Sequence, residues 1–381
     1  MSSKQGMRTD LSLYIHIPWC VQKCPYCDFN SHTIHQPVDE TQYLDRLVED
    51  FDQELKNISG RSLSSIFIGG GTPSTLSAGF YRRLLEVIST RININSDMEV
   101  TLEANPGTAD ADNFRGYRQA GINRLSLGFQ SLDDQQLQQL GRIHSSAQAC
   151  QAFSIARQSG FDNINIDLMF GLPGQTVNEA LSDLKGVIEL QPEHISWYQL
   201  TLEPNTRFYA MPPQHMPDAE TVDDIQRAGK VLMQQQGFCQ YEISAWSSKG
   251  KQCRHNLNYW LYGDYIGIGA GAHGKLRLAD GRFRRNSKRR HPEDYLAGNF
   301  LSSEQFLTEQ DLVAEYFMNR LRLFRSFTEE EFEQQTFLDR SLAKPGLQAA
   351  LNKKLMIKQL DSYQPSKTGY RFLNNLTELF V

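Results

Sequence analysis

From Leu11 to about Leu200 the chain alternates short aliphatic or β-branched runs with longer stretches whose apolar residues recur at helical spacing. That alternation builds parallel α/β folds, in which strand and crossover helix follow one another along the chain. Six such units can be read, with strands at Leu11 to Ile17, Ser65 to Gly69, Glu99 to Ala104, Arg124 to Phe129, Asn163 to Met169 and His194 to Leu200. Between the first two, Tyr43, Leu44, Leu47, Phe51 and Leu55 trace one face of a helix. Each strand meets polar or glycine residues at or near its C-terminal end: a cysteine loop, Gly69 to Ser74, Glu103 to Pro106, Gln130-Ser131, Asp167, and Thr201 to Asn205. In barrels of parallel strands the chemistry collects on that face, so these separate positions should converge. Six units fall short of the eight that close a barrel, so the expectation is an open, partial (β/α)6 barrel whose gap admits a substrate larger than a nucleotide.

The pattern changes after the sixth unit. A proline-containing loop, Glu203 to Pro217, leads into a helix from Asp218 to Gln236 with Ile225, Ala228 and Leu232 on one face. Gln240 to Ala245 reads as a further strand, and Arg254 to Trp260 follows it. Five glycines between Gly263 and Gly274 mark a tight backbone path, and Asp280-Gly281 suggests a hairpin. This region is expected to be a lateral cover. From about Glu304 the pattern is mainly helical, with a Leu323-Phe324-Phe327 cluster and a stretch from Thr368 to Leu373 read as a wing and a last helix. The organisation expected is therefore a barrel over residues 1–238, a cover over 239–303 and a small, mainly helical, winged-helix C-terminal domain over 304–381.

Composition adds exclusions. Hydrophobic content of 40% and charged content of 22% are ordinary for a globular enzyme. The first ten residues hold no apolar signal core, and no run approaches the ~18 apolar residues of a membrane span, so a cytoplasmic protein is expected, meeting membranes only through partners. The net charge of -5 argues against nucleic acid as a partner; the basic run Arg282 to Arg290 is expected to be a solvated loop.

The chemistry is concentrated in Cys20-Val21-Gln22-Lys23-Cys24-Pro25-Tyr26-Cys27, three thiols within eight residues just after the first strand. An iron-sulfur cube usually takes four cysteines, so Cys20, Cys24 and Cys27 would leave one iron of a 4Fe-4S cluster open to a small molecule. An open iron can chelate the amino and carboxylate groups of S-adenosylmethionine, and one electron from the cluster then breaks the C–S bond to release a 5'-deoxyadenosyl radical. Two other readings of the triplet are a zinc site, with His16 or His32 as fourth ligand, and a disulfide. Structural zinc sites usually combine two short ligand pairs, and three close thiols cannot all pair. Cys150, Cys239 and Cys253 stand alone, which suits a reducing compartment.

With the triplet, the glycine loop and the strand ends in view, the chain resembles the radical S-adenosylmethionine superfamily, whose Cys-x3-Cys-x2-Cys signature it matches residue for residue. Within that superfamily it resembles the coproporphyrinogen dehydrogenase-like family over almost its whole length. His255-Asn256-Leu257-Asn258-Tyr259-Trp260 is similar to the hexapeptide of that family's heme-chaperone subgroup. The resemblance implies roles for individual residues. Cys20, Cys24 and Cys27 match the cluster ligands, and Tyr26 an aromatic position that packs on the adenine. Tyr14 matches a contact to adenosylmethionine beside the cluster, and Gly70, Gly71 and Thr72 the loop that accepts its amino group. Glu103 and Gln130 match ribose-side positions, Arg142 a partner for the methionyl carboxylate, and Asp167 an adenosine-side contact. Taken singly, Arg142 and Asp167 would read as an ion-paired residue and a strand-end cap, and both tyrosines as core aromatics; their joint placement on successive strand ends lifts them.

One departure bears on activity. The oxygen-independent coproporphyrinogen dehydrogenases carry a fourth cysteine where Phe29 stands here, and an N-terminal extension where this chain enters its first strand after about ten residues. The resemblance thus implies a heme chaperone that holds heme transiently and delivers it to apo-hemoproteins, a membrane-bound respiratory enzyme among them, with an electron donor serving the cluster. The competing readings are a coproporphyrinogen dehydrogenase and a zinc-stabilised binding protein. For heme itself the candidate ligand is His255, with Cys253 and Tyr259 as rivals.

Overall fold

In the computed structural model, which describes residues 10–58, 60–108 and 110–381, six parallel strands lie side by side in chain order. They are β1 (Asp10–Ile17), β2 (Ser62–Gly70), β3 (Asn93–Ala104), β4 (Arg124–Gln130), β5 (Ile164–Phe170) and β6 (His194–Gln199). Helices Glu40–Leu55, Ala78–Arg91, Ala111–Gln119, Ser146–Gln158 and Val177–Glu189 form the crossovers. Their starts follow from sequence: Ser145 with Gln148, and Thr176 with Glu179, close reciprocal capping boxes that satisfy the first free backbone N–H groups.

The strands have two chemically different faces. Leu11, Leu13, Ile15 and Ile17 of β1 are fully buried in the main core, as are Leu125, Leu127 and Phe129 of β4 and Ile164, Ile166 and Leu168 of β5. The alternate positions are polar: Ser12, Tyr14 and His16; Thr101 and Glu103; Ser126 and Gln130; Asn165 and Asp167; Ser196 and Tyr198. Because successive side chains of a strand point to opposite faces, one parity packs the helices and the other lines the barrel interior. The interior is where the polar groups meet.

The sheet does not stop at six strands. Beside β6 it adds β8 (Ala245–Ser247) and β7 (Cys239–Gln240), both antiparallel, so Gln240 to Ala245 is not the single strand expected but two short ones separated by a turn. Beside β1 it adds β9 (Tyr265–Ile268), parallel, and then an antiparallel run of β10 (His273–Arg277), β11 (Phe283–Lys288) and β12 (Leu301–Phe306). Much of the segment expected as a lateral cover therefore continues the barrel's own sheet, which reaches twelve strands. The basic run is likewise not a solvated loop. Residues 283–288 form β11, and Arg284 and Lys288 are buried.

Why that run can be buried is visible in its partners. Asp50 and Glu54 sit one helical turn apart on Glu40–Leu55, and Lys288 Nζ donates to Asp50 at 2.5 Å and to Glu54 at 2.7 Å. Arg284 donates to Glu54 at 2.5 Å, Asn286 to Glu54 at 2.7 Å, and the Tyr295 hydroxyl to Asp50 at 2.7 Å. Burial alone pushes both carboxyls up; the two cations reverse this at Glu54, which falls below its ordinary value, but not at Asp50. Both carboxylates are bonded, although Arg284 Nε has no partner among the described residues; such a buried charge cluster adds little net stability over apolar packing, but it penalises any shift of β11 against the helix.

A second core gathers Tyr316, Phe317, Phe327, Phe332, Tyr363 and Phe380, with the Phe317 and Phe380 rings stacked at 3.7 Å. It joins helices Glu309–Arg320, Glu329–Thr336 and Lys344–Asn352 to a three-stranded sheet. The hairpin of that sheet is Met356–Gln359 with Ser362–Pro365, whereas the expected wing at Thr368 to Leu373 falls in two short helices, Lys367–Arg371 and Leu373–Thr377.

Removing one partner of the buried cluster should be far worse than its net contribution suggests. Lys288→Met leaves Asp50 buried without its cation and is expected to cost about 3–5 kcal/mol, read as a lowered urea midpoint. Arg282→Ala, which removes an exposed ion pair with Asp280, should leave the midpoint unchanged. Equal midpoints for the two variants would show that the cluster does not hold β11.

Candidate functional site

The cysteine loop has almost no regular structure, so its shape comes from what it is tied to. Trp19–Cys20 pairs with His32–Thr33, closing residues 21–31 into a loop at the C-terminal end of β1. Gly71 N–H donates to Ile17 O at 2.7 Å and Thr72 N–H to Trp19 O at 2.7 Å, which moors the loop to the end of β2. Lys23 Nζ reaches back to the carbonyls of Phe29 and Ser31, and Gln22 crosses to Gly141 O. Gly70 has φ +116, and a Cβ there would come within 2.6 Å of the His16 ring. The glycine therefore makes room first for the chain's own histidine.

Around the three free thiols lies a cavity of about 260 Å³. Cys20, Cys24 and Cys27 line it together with Tyr26. Of the other residues singled out from sequence, Gly70, Gly71, Thr72, Glu103, Gln130, Arg142 and Asp167 line it as well. Cys20 Sγ accepts from Thr72 at 3.4 Å and Cys24 Sγ from Arg142 at 3.6 Å. Burial pushes the Cys20 and Cys27 thiols up from their ordinary value, a cost that ligation of thiolate to iron removes.

The cavity's electrostatics are unfinished within the chain itself. Glu103 is raised to about 8 from 4.5, by burial first and by the nearby Asp167 charge second, and its hydrogen-bond donor is Gly70 N–H at 3.2 Å. Asp167 is raised by burial too, against the pull of Ser126 and Asn165, which donate to it at 2.8 Å. Opposite them Arg142 donates to Gly128 O at 2.9 Å, while its buried Nε has no acceptor among the described residues. Gln130, at φ 72, ends β4 with its side-chain oxygen accepting from the Tyr198 hydroxyl at 2.7 Å. Soft sulfur donors, two buried carboxyls and one unfinished guanidinium in one hollow fit an iron-sulfur group with a ligand carrying an ammonium, hydroxyls and a carboxylate.

The zinc alternative fares worse. His16 Nε2–H donates to Asn30 O at 2.8 Å, so its Nδ1 must accept from the Tyr14 hydroxyl at 3.0 Å, and neither nitrogen is free. His32 Nε2 faces Arg290 O at 3.2 Å. Among the described residues no three His, Cys, Asp or Glu side chains converge on one metal position. A cubane does not require that, because its thiolates bind different irons.

A larger cavity of about 670 Å³ adjoins the first, sharing Phe29, Gly70 and Glu103 as common wall. Tyr14 opens onto this one, not onto the thiol cavity. His255 opens onto neither. It is 1% exposed, with Nδ1 on the Ser65 hydroxyl at 3.1 Å and Nε2 on the Tyr259 hydroxyl at 2.8 Å, and burial lowers it to about 3. As an axial ligand it would have to surrender one of those bonds and turn out of the core, so this placement corrects the expectation. Cys253, wholly buried beside Glu99 and pushed up to about 12, is no better presented. Tyr259 and Trp260, by contrast, do face the larger cavity.

Sequence reasoning missed part of both walls. Ser126 and Tyr198 line the thiol cavity, and the polar parity of their strands was the available signal. Tyr265, His273, Lys275 and Arg285 line the larger one. The hairpin expected at Asp280-Gly281 is present as β10 and β11 and carries the last three, but nothing in the sequence signalled that its face lines a cavity. Lys275 is lowered to about 8 by burial, and Arg285 forks onto Glu315 at 2.6 and 2.9 Å.

Comparison with known proteins agrees with this geometry. The Radical SAM superfamily model matches residues 14–185. The chain is 49% identical over 375 residues to the heme chaperone HemW of Haemophilus influenzae, covering 97% of this chain and 98% of that one. It is 47% identical over 371 residues to HemW of Escherichia coli, with the same coverage. In fold it is similar to the E. coli coproporphyrinogen III oxidase HemN, with a TM-score of 0.82 and 24% identity over 98% of this chain and 90% of that one. Full-length similarity at this level places the chain in the HemW family of the radical S-adenosylmethionine superfamily.

Proposed function

We propose that this protein is a heme carrier: Cys20, Cys24 and Cys27 hold a 4Fe-4S cluster, the thiol cavity holds S-adenosylmethionine, and the larger cavity holds heme for transfer to apo-hemoproteins. The observation that carries the reading is the adjacency of two unlike cavities across Gly70 and Glu103, one lined by thiols, the other broad, aromatic and cationic. When bound, a cluster with an open iron supplies a chelation point for adenosylmethionine and a source of one electron. The chain's own work is then positional. Arg142 directs charge at the carboxylate side of the hollow, Glu103 and Asp167 at its cationic and hydroxyl side, and Tyr26 closes the floor by packing toward Phe208 at 6.3 Å. Recipients include respiratory enzymes at the membrane, reached by contact, and an external reductant serves the cluster. Among the described residues no helix is long and apolar enough to cross a membrane.

Phe29 favours carriage over decarboxylation. It is 58% exposed and lines both cavities, at the position where the resemblance gives the dehydrogenases a fourth cysteine, and its ring offers neither a ligand nor a proton there. Radical attack on a propionate needs reacting atoms held within near-attack distance, so the lost side chain weighs against that reaction.

Anaerobic reconstitution is expected to load about four iron and four sulfide per chain. Cys24→Ala should lose that content, and heme should titrate to one equivalent while coproporphyrinogen stays unconverted in the same preparation. Zinc without sulfide would remove the cluster, and conversion to protoporphyrinogen would make the protein a decarboxylase.

Glu103 supplies a pH test. Its folded-state pKa is raised, so its contribution to stability is complete below about 4.5 and is lost as pH rises through about 8. For the chain without adenosylmethionine, Glu103→Gln should therefore melt near the native value at pH 5 and increasingly above it toward pH 8, with a gain of roughly 5 kcal/mol as an upper bound. Saturation with adenosylmethionine, a cation, should narrow the gap. A difference in melting temperature that is constant with pH would show that Glu103 is not the buried acid described.

A further inference from the structure

The larger cavity contains one imidazole that forms no hydrogen bond among the described residues. Its volume of about 670 Å³ suits a tetrapyrrole-sized ligand, whereas the thiol cavity, at about 260 Å³, does not. Two histidines line it. His16 has both nitrogens committed, to Asn30 O and the Tyr14 hydroxyl. His273 is exposed at the wall and makes no side-chain hydrogen bond among the described residues. We propose that His273, not His255, gives the nitrogen ligand to the iron of heme in this cavity, and that Arg290 at the rim takes a heme propionate. This rests on the heme-carrier reading and adds the ligand set to it.

The geometry around His273 is fixed by backbone, not by hydrogen bonds to the ring. His273 begins β10 and pairs with Ser287 of β11, and two residues on, Lys275 pairs with Arg285. His273, Lys275, Arg285 and Ser287 thus share the sheet face that looks into the cavity. On its other edge β10 pairs with β9, whose backbone comes so close that a Cβ on Gly267 would lie 2.1 Å from His273 O. The His273 backbone is thus held between two paired strands. Its pKa is lowered by burial and then by Arg285 and Arg290, which leaves the imidazole neutral and able to ligate at ordinary pH.

The rest of the wall supplies what a porphyrin needs. Tyr259, Trp260 and Tyr265 offer ring faces and edges, and the buried Trp260 Nε1–H has no acceptor among the described residues. The cations are mostly spoken for: Arg285 by Glu315, Lys288 by Asp50 and Glu54, and Lys275 by Tyr262 O at 2.9 Å and the Tyr262 ring. Arg290 is different. Its carbonyl accepts from Asn30 and His32, but its guanidinium is exposed and forms no ion pair among the described residues, leaving its planar donors available to a carboxylate.

The test is a heme titration of the cluster-loaded full chain, followed by visible and electron paramagnetic resonance spectra, with native protein beside His273→Ala, His255→Gln and Arg290→Ala. Unchanged iron content in His273→Ala shows that the variant is folded. The expected result is a loss of affinity of roughly tenfold or more in His273→Ala with a changed ferric spectrum, and recovery of the native spectrum on adding imidazole. His255→Gln should keep the native spectrum. Arg290→Ala should weaken heme binding severalfold but leave binding of heme dimethyl ester, which lacks the carboxylates, unchanged. A native spectrum and affinity in His273→Ala, or imidazole rescue of His255→Gln, overturns the ligand assignment while leaving a heme carrier. Absence of heme binding by the native chain removes the carrier and the ligand together.

Discussion

A loop that presents three thiols to one hollow cannot fold on its own account, because it buries too little apolar surface to offset the entropy of ordering it. Everything at the mouth of this barrel depends on how residues 21–31 are moored. The mooring is backbone: Gly71 and Thr72 donate to the carbonyls of Ile17 and Trp19, so the end of β2 holds the end of β1, from which the loop springs. That junction leaves no volume for a side chain at Gly70, where the His16 ring already stands. His16 in turn accepts from Tyr14 and donates to Asn30 O, passing the position of β1 on to the far side of the loop. One junction thereby sets the thiols, the glycine loop and the common wall of both cavities.

The junction needs a sheet that does not shift, and the buried charges supply that constraint. Asp50 and Glu54 project from the first crossover helix to Lys288, Arg284 and Asn286 of β11, three strands away from β1. Apolar side chains there would pack as well in several registers; a carboxylate pair with matched donors is satisfied in one. Such a device gives up some stability for a unique arrangement. In this chain it fixes the antiparallel extension against the barrel, and the extension carries His273, Lys275 and Arg285 to the cavity.

The barrel was legible because its strands obey two rules at once. Apolar residues of one parity and polar residues of the other make Leu11 to Ile17 or Asn163 to Met169 readable as strands, and the polar parity is the same set that lines the interior. The thiol cavity followed from that, since its residues lie at strand ends in sequence order. The larger cavity did not follow. Its wall comes from β9 to β11: glycines at 267, 269, 271 and 274 remove the side-chain alternation that would announce β9 and the start of β10, and on β11, the second strand of the expected hairpin, Arg284 and Lys288 look solvated until their carboxylates appear 230 or more residues earlier in the chain. His255 misled for a related reason. Its neighbours Tyr259 and Trp260 do face the cavity, but residues four apart on a helix need not share a partner, and here Tyr259 turns its hydroxyl inward onto the histidine for which it was read as a rival ligand.

A carrier faces opposed demands on affinity, and the two cavities divide them. The thiol cavity buries Glu103, Asp167 and Arg142 and leaves their polar groups incompletely matched within the chain, with burial holding the carboxyls toward their protonated forms; a complementary cationic ligand would restore their charges and gain a large electrostatic term. In the larger cavity the opposite holds: Arg285, Lys288 and Lys275 already have their partners, and of the lining cations Arg290 at the rim forms no ion pair among the described residues. A tetrapyrrole held as proposed would gain ring contact and one ligand bond there, without being caged by charge. An imidazole whose second nitrogen is anchored to a carboxylate or carbonyl becomes a stronger, better oriented donor; His273 has no such anchor among the described residues. Under the proposed ligand assignment, a recipient protein that offers an anchored imidazole would outcompete it for the iron, and transfer would run downhill without requiring a change in the barrel.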